Sequence, residues 1–125
     1  MRILVVEPER RPKVKEIDSS LKSMQEIVGG LIQAIPIFDD PDVVLVCHDE
    51  GKLLNLPANR GLRDANGQIY DIVCGTFFLC GAPGDSDHFT SLTPEQIERY
   101  RERFYTPEVF WGMDGRIVCL PLESD

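Results

Sequence analysis

Ile72-Val73-Cys74-Gly75-Thr76-Phe77-Phe78-Leu79-Cys80 carries apolar side chains on both faces that an extended chain would present. A half-exposed strand alternates apolar with polar residues, so a run without alternation predicts a central strand buried on both sides, here over residues 68–81. Gly75 inside the run marks a bulge or a close approach by other groups. On its N-terminal side the chain offers two hairpins. Residues 2–6 and 13–17 form the first, turned by Pro8-Glu9-Arg10-Arg11-Pro12. Residues 31–38 and 43–47 form the second, turned by Asp39-Asp40-Pro41-Asp42. Between them, Ser19 or Ser20 caps a short helix that buries Leu21, Met24, Ile27 and Val28 and stops at Gly29-Gly30. Residues 55–67 are polar, rich in Gly and Asn, and read as a long loop.

On the C-terminal side, residues 81–87 form another loop. Thr93-Pro94-Glu95-Gln96 is a capping box with proline at the first helical position, which starts a helix running to about Tyr105. Its inward face carries Ile97, Tyr100 and Phe104; Glu98, Arg101 and Glu102 lie outside, and Thr106-Pro107 stops it. A last hairpin turns at Met113-Asp114-Gly115. These elements predict an α+β fold: a single small antiparallel or mixed sheet with two helices, covered on one face. At 125 residues the chain is one domain, with a core over 1–105 and a C-terminal extension over 106–125.

With 42% hydrophobic and 27% charged residues the chain is ordinary globular material, which sets intrinsic disorder aside. Its 21 acids against 13 bases give a net charge of -8, which disfavours contact with a phosphate backbone, so no nucleic-acid partner is expected. The acids alternate with Lys and Arg, as on a solvated surface rather than a DNA mimic. Four apolar residues near the start are too few for a signal segment, and no stretch approaches membrane-spanning length; a cytoplasmic protein with no membrane partner is expected. Cys47, Cys74, Cys80 and Cys119 form no C-x-x-C pair, and Cys74 and Cys80 on one strand would lie roughly 20 Å apart. They read as packed, reduced thiols.

No catalytic residue, metal site or cofactor is expected. His48 and His88 lack a second ligand at metal spacing, and Cys47 and His48 on one strand point to opposite faces. His88 beside Asp85 and Asp87 has the makings of a general base, but loops commonly carry such residues without catalysis. Gly81-Ala82-Pro83-Gly84 is no phosphate loop. One cluster has ligand-binding character: Asn59, Arg60, Arg63 and Asp64. There Arg offers a planar fork to an anion and Asn a donor and an acceptor. Tyr70, Phe77 and Phe78 can stack a flat ring, and Thr76 lies beside them. The competing reading is a solvated loop whose arginines pair with Asp64 or Asp71.

Arg2-Ile-Leu-Val-Val-Glu-Pro8, Leu21-x-x-Met24-Gln25-x-x-Val28-Gly29-Gly30, Cys47-His-Asp-Glu-Gly51-Lys52, Leu56-Pro57-x-Asn59-Arg60 and Ile69-Tyr70-Asp71-Ile72-x-x-Gly75-Thr76-Phe77-Phe78 occur in this order. The chain thereby resembles an uncharacterised domain-of-unknown-function family of small accessory proteins from phages, prophages and conjugative elements, over most of residues 1–105. The resemblance implies a setting in the host bacterial cytosol. No activity comes with the family; in that setting a motif-poor acidic domain is expected to act without catalysis, sequestering a small anionic nucleotide-like immune signal, such as a cyclic ADP-ribose isomer or cyclic nucleotide, in pockets completed by a homodimer or higher homo-oligomer. Two alternatives stay open, an inhibitor of a host defence protein or nucleic-acid enzyme acting through its acidic surface and an enzyme that degrades the signal.

Overall fold

The computed structural model describes residues 1–37, 39–84 and 88–122. In chain order the elements are β1 (Arg2–Val6), β2 (Lys13–Glu16), α1 (Leu21–Val28), β3 (Ile32–Ile37), β4 (Asp40–His48), β5 (Ala58–Arg63), β6 (Ile69–Cys74), β7 (Phe77–Gly81), α2 (Pro94–Arg103), β8 (Glu108–Met113) and β9 (Arg116–Pro121). The main sheet has the order β2-β1-β7-β4-β3, and every neighbouring pair in it is antiparallel. Two further antiparallel pairs, β5-β6 and β8-β9, stand apart from it.

The apolar runs of β1, β4 and β7 occupy the middle of the main sheet because they alone have something to bury on both sides. Leu4, Leu79 and Leu45 are in register across the three strands on one face; Val5, Phe78 and Val46 are in register on the other. The first face packs against Ile97, Tyr100 and Phe104 of the α2 segment and against Leu62 and Val73 of the β5-β6 pair. The rings of Phe77 and Phe104 meet edge to face there, 5.5 Å apart. The second face packs against Met24 and Val28 of α1. Both helix starts follow the local sequence. Ser20 caps α1 by accepting from the Ser23 N–H, and Thr93 and Gln96 form the full capping box of α2.

The structure overturns the expected fold class. The fold is mostly β: of the described residues 45% are strand and 15% helix, they form three sheets instead of one small sheet, and the two helices cover opposite faces of the largest. The error has a specific origin in the run that read as one strand. At Gly75 the backbone takes φ +84°, and the chain leaves the β5-β6 pair to enter the main sheet as β7. The apolar residues on either side of Gly75 therefore belong to different sheets. A second correction concerns residues 55–67, which read as a loop but contain β5. That strand shows no apolar period because its buried residues include Asn59, Arg60 and Gly61, polar or small groups whose burial hydrophobic patterning does not register. The His88 neighbours Asp85 and Asp87 lie outside the described residues.

A Cβ on Gly75 would lie 2.8 Å from the Leu56 side chain, in addition to the left-handed φ; Gly29, the C-cap of α1 at φ +87°, has open space around it. Both Gly→Ala changes should destabilise the fold through backbone strain, each by about 1–3 kcal/mol. Gly75→Ala should cost more, because Leu56 must also move. Urea unfolding of the two variants checks the order, and an equal cost would show that Leu56 yields freely.

Candidate functional site

Arg60 lies in the interior, 1% exposed. Its guanidinium meets five acceptor contacts: Nε and Nη2 donate to the Phe104 carbonyl at 3.2 and 3.1 Å, Nη2 to the Arg10 carbonyl at 2.6 Å, and Nη1 to the Asn59 carbonyl and Oδ1 at 3.3 and 2.9 Å. None of these acceptors is a carboxylate. Burial lowers the arginine pKa, and the more distant Glu108 charge works against that shift. Phe104 is the C-cap of α2, so the cation also sits at the negative end of that helix. Asn59, fully buried, donates from Nδ2 to the carbonyls of Val6 and Gly75, both at 2.9 Å. The pair thus ties β5 to β1, to the Gly75 corner, to the Arg10 turn and to the end of α2. Among the described residues, every buried side-chain nitrogen or oxygen has a partner.

The other residues put forward from sequence are dispersed. Arg63 pairs with Glu108 at 2.6 Å, and Asp64 accepts from the N–H groups of Asn66 and Gln68 in the β5-β6 turn. Tyr70 is exposed on β6, Thr76 sits in the connection after Gly75, and Phe78 is buried against α1 on the far face of the main sheet. Phe77 packs on Phe104. The expected pairing of the arginines with Asp64 or Asp71 is replaced by carbonyls for Arg60 and by Glu108 for Arg63. His48 braces a turn: its Nδ1 accepts from the Glu50 N–H at 2.9 Å, and its Nε2 edge lies where a Cβ on Gly30 would be.

A groove opens elsewhere, around an ion pair that bridges the turn after β4 and strand β6. Lys52 Nζ donates to Asp71 Oδ1 at 2.5 Å, and this raises the Lys52 pKa. The pair is common to two adjoining lobes. One, of about 250 Å³, is bounded by the 47–53 segment, Gln33 and Ile35 of β3, and β6. The other, of about 540 Å³, runs between Ala58, Ile72 and Cys74 on one side and Phe110, Trp111 and Ile117 of the β8-β9 hairpin on the other. Burial pushes the Cys47 thiol up to about 11 and raises that of Cys74, so both thiols lining the groove stay protonated at neutral pH. Among the described residues no three His, Cys, Asp or Glu side chains converge as a metal site, and no helix is long and apolar enough to cross a membrane.

Residues 1–105 match the model of a family described as Domain of unknown function (DUF3846). The chain belongs to that family. No curated protein and no solved structure matches it. The DUF3846 match takes in the Asn59-Arg60 tie, Lys52 and Asp71, whereas β8 and β9 lie beyond its end. The groove of this DUF3846 protein is therefore composite. Sequence reasoning passed over its residues for separable reasons: Lys52 sat in a plain turn signal, Asp71 in a strand, and the hairpin aromatics in what looked like an edge extension. The sequence carries no local signal that would pair positions 52 and 71.

Glu108 fastens the hairpin to the body. It accepts from the Gly61 N–H at 3.1 Å, from Arg63 and from the Cys119 thiol. Burial would push Glu108 up, but these hydrogen bonds and the Arg63 charge outweigh it and hold the carboxyl below its ordinary value of about 4.3. A depressed carboxylate contributes stability that is complete above its unfolded pKa and disappears as pH falls through the lower folded one. The melting-temperature gap between wild type and Glu108→Gln should accordingly be widest near neutrality and close in acid; a gap independent of pH would contradict the assignment.

Proposed function

We propose that this chain is a non-enzymatic binding protein that captures a small nucleotide-derived anion in the Lys52–Asp71 groove. The observation that carries the reading is the ion pair shared between a polar lobe and an apolar, aromatic-walled one. An ammonium suits a phosphate, the neighbouring carboxylate suits ribose hydroxyls or an exocyclic amine, and the aromatic wall suits a planar ring. The lobes together are of the size that small-molecule sites occupy, some 300–1,000 Å³. Binding without turnover is supported by the protonated thiols of the groove and by the turn-bracing role of His48. A cytosolic protein of a phage or other mobile element that withdraws a host immune signal from circulation would need this chemistry and no more. The Asn59-Arg60 tie supports the groove from within, fixing the strand junction at which Ala58 and Cys74 line it.

The exposed side chains of Trp111, Met113, Ile117 and Leu120 favour, as a second reading, a protein partner or a second copy of the chain on the hairpin. Incubation with a panel of nucleotides, removal of unbound compound, heat denaturation and mass spectrometry of what is released separate the two. Wild type should release an intact nucleotide, and saturation at a hundredfold excess over Kd should add about 2.7 kcal/mol of stability. Lys52→Ala should retain at least tenfold less. Its ligand-free stability should change by no more than about 1 kcal/mol, as for other exposed ion pairs. Release of a cleaved compound would instead indicate turnover. No retention, or retention indifferent to Lys52, would refute the groove and leave the hairpin contact surface as the reading to pursue.

A further inference from the structure

We infer that the β8-β9 hairpin, which lies outside the family-matched residues, determines which ligands the groove accepts by recognising the ring portion of the molecule. The inference rests on the groove reading above and adds a division of labour to it. The charged wall, Lys52 and Asp71, belongs to residues 1–105. The aromatic wall, Phe110 and Trp111, belongs to the extension. The charged wall is made by the turn after β4 and by β6, the aromatic wall by the β8-β9 pair, and the hairpin is anchored to the body through Glu108. Glu108, at the start of β8, accepts from the Gly61 N–H of β5 and from Arg63, and the Leu122 N–H closes the base of the hairpin on the Pro107 carbonyl at 2.7 Å.

From that base the hairpin extends along the groove. Phe110 and Trp111 lie two and three residues after Glu108 on the same strand, so their distance from the charged wall is set by the anchor. A side chain at Gly112 would meet nothing within 4 Å, which leaves space beside the two aromatics. An aromatic wall contributes to binding through the π-face of a base and contributes nothing to a bare sugar phosphate. An ammonium attracts the phosphate of either. The architecture therefore separates affinity for the anion, carried by the body, from discrimination among anions, carried by the hairpin.

Two probes that differ only by the base test this: AMP and ribose 5-phosphate, each titrated calorimetrically into wild type, Lys52→Ala, Trp111→Ala and Phe110→Ala. Trp111 is 60% exposed, so its variant should fold as wild type does; Phe110 is partly buried, and its variant is scored after its melting temperature is checked. Wild type should prefer AMP at least tenfold. Trp111→Ala or Phe110→Ala should bring that ratio towards one while leaving ribose 5-phosphate affinity unchanged, and Lys52→Ala should weaken both probes by a similar factor. An AMP preference retained in full by both aromatic variants overturns the inference while the groove reading stands. If Lys52→Ala weakens neither probe, the groove reading fails even where the aromatic variants change the ratio, and if wild type binds neither probe both fail together.

Discussion

A guanidinium buried without a carboxylate is an expensive group to hold, and the rest of this structure is arranged around holding Arg60. The cost of taking a cation out of water is offset only when its donors are all met. Here they are met by carbonyls from three separate segments, the Arg10 turn, Asn59 beside it and the end of α2. Because all the acceptors but Asn59 Oδ1 are main-chain carbonyls, the contact fixes backbone positions directly. Asn59 extends the same lock to β1 and to the Gly75 corner. A lysine in this place could not replace it, since a single ammonium cannot reach three segments with a planar fork.

That lock explains how a second, two-stranded sheet keeps its position against the main one. The β5-β6 pair contributes only Leu62 and Val73 to the shared core, so apolar contact alone would leave its angle loosely specified. The Arg60 and Asn59 bonds specify it, and the groove inherits the result: Ala58 and Cys74 line it from positions adjacent to the tie. The hairpin is then set against this fixed platform by Glu108, whose partners Gly61 and Arg63 belong to the same strand. Positioning thus passes from an interior cation to a strand, and from that strand to both walls of the groove.

The parts of the fold readable in the sequence are those with local causes. The Ser20 cap, the Gly29 stop, the Thr93 capping box and the hairpins at 13–16 and 116–121 each depend on residues close together in the chain. What could not be read depends on distant partners. Residues 69–81 have one composition but two sheets, and only a backbone conformation at Gly75 divides them. Strand β5 carries no apolar period because its interior is built from hydrogen bonds. Asn59 and Arg60 stand out in the sequence as a donor-rich pair of polar groups, yet the same donors suit a nucleotide and a set of carbonyls equally well, and sequence does not distinguish them. The Lys52–Asp71 pair depends on a 19-residue separation that no motif encodes.

On the reading proposed above, the buried arginine is structural and ligand chemistry belongs to the neighbouring groove. Amide chemical-shift mapping of the ¹⁵N-labelled protein during titration with AMP distinguishes the two places. Shifts should concentrate in residues 49–53, 71–74 and 110–112, with residues 59–61 and the Arg60 side-chain Nε–H little changed. Shifts centred on residues 59–64 and absent from the groove would contradict it, and would show that the ligand competes with the carbonyls for Arg60.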